Sequence, residues 1–147
     1  MNRYFIILLA LLCASCGSSS KFAAMTEGNK GALFVSANLD VPVMAAAVKY
    51  GFEKMNIALE SETRTNENTM VMAGTLKSSM QDWGQYIKMT IVKNEATTEI
   101  WFFSSSRVAM NVTADVVVIR DNLRTHVSLY IEAAKEGLDL NTIDLTL

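Results

Sequence analysis

Two thiols, one imidazole and fifteen carboxylates are the side chains here with the widest chemical range. Cys13 and Cys16 stand close together near the start of the chain. A thiolate can act as a nucleophile or bind a metal, and a thiol can carry a thioether. His126, the single imidazole, could be a general base or a metal ligand. It follows Arg124 and precedes Glu132 on a segment with helical period, where a rim or surface histidine is the commoner outcome. Glu60 and Glu62 lie two apart in an alternating segment, which puts both carboxylates on one strand face. Such a pair could hold a cation or exchange protons, although solvated like charges on a strand are far more frequent.

The remaining catalytic patterns are missing. There is no Gly-x-Ser-x-Gly elbow, no glycine-rich phosphate loop and no His-x-x-x-His. The serine runs at 18–20 and 104–106 have no base placed near them and read as polar loops. One His and two Cys are too few for an ordinary zinc site. The sequence therefore points to no catalytic set, no metal and no cofactor. A small hydrolase or other envelope enzyme is the competing class.

The thiols gain meaning from what precedes them. One charge, Arg3, is followed by the uncharged run Tyr4-Phe5-Ile6-Ile7-Leu8-Leu9-Ala10-Leu11-Leu12-Cys13-Ala14. A bilayer-spanning helix needs about 20 apolar residues, so this run has the length of a signal-peptide core instead. Its end, Ala14-Ser15-Cys16, resembles a bacterial lipobox, with small residues at −2 and −1 and the acceptor cysteine after them. Cys13 occupies −3, where an aliphatic residue is usual, and Leu12 is too large to stand at −1 of an acceptor.

The resemblance implies a bacterial envelope lipoprotein. Residues 1–15 would be a cleaved signal peptide, and Cys16 would carry diacylglycerol and a palmitate-like acyl chain. Each buried methylene adds about 0.8 kcal/mol, so two or three chains hold a protein stably on a membrane. The domain would face the periplasm or the outside. Ordinary signal cleavage, releasing a soluble periplasmic binding protein, is the alternative. Loss of residues 1–15 removes Cys13 and Arg3, leaving 12 basic against 15 acidic side chains and no free thiol or disulfide.

Residues 16–30 form the lipidated cysteine and a Gly- and Ser-rich tether without hydrophobic period. Fourteen such residues span roughly 20 Å on average. Residues 31–147 form a single domain. Half the chain is hydrophobic and only 19% is charged, which excludes intrinsic disorder. The slight negative charge gives no basis for nucleic-acid binding.

The elements follow from period. Residues 31–38 alternate as a short strand. Asp40 can cap a helix over 41–56, with Met44, Val48, Phe52 and Met55 on one stripe and Gly51 allowing a close approach to the sheet. Segments 57–63, 69–77, 85–93 and 97–104 alternate with hairpin spacing. Ser104–Ser106 ends that pattern. A second helix runs from a cap at Thr113 to about Glu136, with Val116, Ile119, Leu123, Val127 and Tyr130 on its stripe and Gly137 after it. The tail 138–147 alternates and could add an edge strand.

The order β-α-β-β-β-β-α predicts an α+β fold. Four or five antiparallel strands would carry two helices on one face. It resembles small envelope lipoproteins of uncharacterised families. Strand 97–104 is apolar on both faces, with Trp101 and Phe103 opposite Ile100 and Phe102, and Trp83 and Tyr86 in the adjoining hairpin. A central strand covered on both sides explains this most simply. The functional alternative is an apolar surface of Trp101, Phe103, Trp83 and Tyr86 for a protein or apolar ligand.

Overall fold

The computed structural model describes residues 31–76, 84–106 and 116–138. The expected signal peptide, Cys16 and the expected tether, Trp83, the expected cap at Thr113 and the residues beyond Leu138 lie outside the described residues. Seven elements follow in order: β1 (Ala32–Ala37), α1 (Val41–Lys54), β2 (Ile57–Asn66), β3 (Thr69–Leu76), β4 (Gln85–Lys93), β5 (Thr98–Ser106) and α2 (Val116–Lys135). The fold is α+β, with a five-stranded antiparallel sheet ordered β1-β5-β4-β3-β2 and both helices on one face.

Local chemistry sets the boundaries. Asn66 pairs with Thr69, so only Glu67 and Asn68 turn the β2–β3 hairpin. The Asn68 N–H donates to Asn66 Oδ1 at 2.9 Å, the short-range bond that makes Asn a turn residue. Past α2, Gly137 takes φ +70°. Leu138 N–H reaches back to the Ala133 carbonyl and Gly137 N–H to that of Ala134, a Schellman closure.

The core lies between sheet and helices. Met44, Val48 and Phe52 of α1 and Leu123, Val127 and Ile131 of α2 meet Met72, Ile87, Met89, Ile91 and Ile100, all essentially without solvent contact. Arg124 covers the edge of this layer, its guanidinium 5.3 Å from the Phe34 ring centre.

Three local expectations need correction. Gly51 faces α2, not the sheet: a Cβ there would lie 2.8 Å from Val127 Cγ2 and 2.9 Å from Leu123 Cδ1. The glycine that admits a helix to the sheet is Gly74, where a Cβ would lie 2.8 Å from Phe52 Cε2. Asp40 stands at the N-cap of α1, but its side chain bonds no helix N–H and instead pairs with Lys93 Nζ. Finally, β5 continues through Ser104–Ser106, because their backbones pair with Ile87, Tyr86 and Gln85.

Candidate functional site

Two regions of the described surface are candidate binding sites. The first is the sheet face away from the helices. Ile100 and Phe102 enter the core, so Trp101 and Phe103 face outward, each half-buried. Across the ladder Trp101 stands opposite Thr90 on one side and Leu33 on the other, and Phe103 stands opposite Lys88. Trp101 Nε1–H donates to Glu99 Oε2 at 3.1 Å, satisfying the indole's single polar group. Tyr86 belongs to the same face, but at 8% exposure it offers little open surface. The structure therefore brings three of the four sequence-selected aromatics onto one face; Trp83 lies outside the described residues.

Sequence reasoning missed Lys88. The alternation Tyr86, Lys88, Thr90 reads as the polar side of a strand, yet Lys88 is only 3% exposed. Its ammonium lies 5.3 Å from the Phe103 ring centre, within reach of a cation–π contact. Burial holds its pKa below the ordinary 10.5, because desolvation penalises the charged form. The polar alternation of β4 gave no sign of this burial, which belongs to a strand in the interior of the sheet, between β3 and β5. Ala73, Thr75, Tyr86, Lys88 and Thr90 of this face are all buried, so among the described residues its accessible part is the β5–β1 side, at Leu33, Trp101 and Phe103.

The second region lies on the helix side, between α1 and the edge strand β2. A groove of about 300 Å³ is lined by Val41, Pro42, Ala45 and Ala46 of α1, by Met70, and by the charged side chains of Lys49, Glu62 and Arg64. Lys49 Nζ and Glu62 Oε2 meet at 2.7 Å. At the α1 N-terminus it adjoins a more polar cavity of about 480 Å³, lined by Asp40, Pro42, Arg64, Glu67, Asn68 and Lys93 among others.

This arrangement dissolves the carboxylate pair. Leu59 pairs with Gly74 and Ser61 with Ala73, so Glu60 is the extra residue of a β-bulge. Leu59 and Glu62 then share the helix-facing side, and Glu62 belongs to Lys49 rather than to Glu60. His126 is half-buried on α2. Among the described residues no three His, Cys, Asp or Glu side chains gather as a metal site would require. No described helix is long and apolar enough to cross a membrane.

No protein-family model matches the chain, and no curated protein matches it either.

Proposed function

We propose that this chain is a bacterial envelope lipoprotein, anchored through Cys16, whose small α+β domain acts by binding rather than by catalysis. The observation that carries the reading is the Ala14-Ser15-Cys16 sequence closing an uncharged run too short to span a bilayer. The outer sheet face supports the second half. Trp101 and Phe103 remain partly accessible there, beside Leu33 at 48% exposure. Partly open aromatic surface is the material from which interfaces are made.

Metabolic labelling with an alkyne fatty acid tests the anchor. The wild-type protein takes up label and fractionates with membranes; Cys16→Ser takes up none and accumulates as precursor. Label on Cys16→Ser would refute the anchor. Release of an unlabelled, processed wild-type protein would favour a soluble periplasmic one.

A further inference from the structure

We propose that the cleft between α1 and the outer edge of β2 binds an extended, carboxylate-bearing peptide segment of a partner protein, which joins the sheet as a sixth strand. Among the described residues β2 pairs only with β3. A ten-residue edge strand thus presents one row of backbone donors and acceptors without a strand partner. From Leu59 to Asn66 every residue of β2 is exposed.

An edge becomes a binding site when side-chain pockets run beside it, since main-chain bonds give affinity and alternate pockets give selectivity. The groove under α1 supplies such a pocket. Ala45 and Ala46 leave space, and Val41, Pro42 and Met70 make its walls apolar. Side chains of an added strand alternate between faces, so every second one would enter this groove. The bulge at Glu60 and a second register shift at Thr65 confine regular pairing to Ser61–Arg64, enough for a segment of four or five residues.

Charge selects the occupant. Lys49 is paired with Glu62, and Lys93 with Asp40. Arg64 has no such partner among the described residues. Its Nε donates to the Asn66 carbonyl at 3.3 Å and its Nη2 to that of Glu67 at 3.1 Å. These bonds hold the guanidinium where the apolar groove meets the polar cavity, and neither oxygen carries a charge to offset it. A forked guanidinium held in this way suits a carboxylate. The occupant is therefore an extended segment with apolar side chains at alternate positions and an acidic one at the Arg64 end. Glu60, Glu62 and the bulge disfavour indiscriminate edge pairing.

The cleft shares with the proposed function only the idea of binding, and it is tested independently of the lipid. The probes are the capped pentapeptide Val-Ser-Val-Ser-Glu, whose Glu shares a face with both Val, and its Gln counterpart, titrated into isotope-labelled full-length protein in detergent micelles and followed by NMR. Resonance shifts should fall on Ser61–Arg64 and on the Ala45 and Ala46 methyls. The Glu peptide should bind about fivefold more tightly than the Gln peptide, as a charge-assisted contact requires. Arg64→Gln should erase that difference without moving the thermal midpoint, and Ala46→Leu should block both peptides by filling the groove. The proposal is overturned by shifts confined to another surface, by no shifts up to peptide solubility, or by equal binding of both peptides to the wild type. Protection of β2 amides that grows with protein concentration would overturn it too, because the edge would then belong to a second copy. Loss of lipid labelling leaves these readouts unchanged.

Discussion

Gly51→Ala puts a number on how closely the two helices meet. The new methyl carbon would lie 2.8 Å from Val127 Cγ2 and 2.9 Å from Leu123 Cδ1, both on fully buried side chains. Forcing a methyl into a closed core costs about 1–3 kcal/mol. Replacing glycine inside a helix returns about 1 kcal/mol. The single variant should therefore lose about 1 kcal/mol. Leu123→Ala alone should lose about 2–5 kcal/mol, as large-to-small changes in closed cores do. Combined, the two should not add: removing Leu123 Cδ1 clears one of the two clashes, and the methyl enters the space left behind. In that background Gly51→Ala should become neutral or stabilising, a coupling of about 1 kcal/mol or more. Urea unfolding of the wild type, both single variants and the double variant measures it. Additivity within about 0.5 kcal/mol would refute the contact, since uncoupled sites behave that way.

Three further outcomes follow from named contacts. Trp101→Ala should cost about 2 kcal/mol in denaturant unfolding, below the 3–5 kcal/mol of a closed-core aromatic, because Trp101 is half-buried; a full core-sized loss would remove the outer face as a binding surface. Lys88 should make stability rise as pH climbs toward 10.5, because its folded pKa is depressed and the unfolded chain binds more protons in that window; a Lys88→Met protein that keeps the same rise would show that another group causes it. Gly137→Ala should cost about 1 kcal/mol through backbone strain alone, since its φ is +70° and nothing lies within 4 Å; an unchanged thermal midpoint would contradict that.

The helices and most of the sheet were legible because their apolar periods are strong. The stripe Met44, Val48, Phe52 and the stripe Leu123, Val127 both enter the core as spacing requires. What spacing could not convey was the interruption of its own rule. Strict alternation places Glu60 and Glu62 together, and one inserted residue separates them. A glycine in a helix announces a close approach but not to which neighbour: Gly51 meets α2, and the approach of a helix to the sheet falls at Gly74. Asp40 has the cap position, yet Lys93, 53 residues away, takes its carboxylate. Lys88 carried a polar letter in an alternating strand, and nothing in that alternation announced its burial beside Phe103. The α1–β2 cleft had no linear signature, because it joins Val41–Lys49 to Glu62, Arg64 and Met70.

The proposed lipoprotein identity rests on a thioether at Cys16. Intact-mass spectrometry of the protein extracted from membranes tests it most directly. Anchoring through Cys16 requires a chain beginning at Cys16, heavier than residues 16–147 by a diacylglyceryl group and, where the amine is also acylated, by one further fatty acid. A chain of unmodified mass, whether it begins at Met1 or at a residue near Cys16, would contradict it.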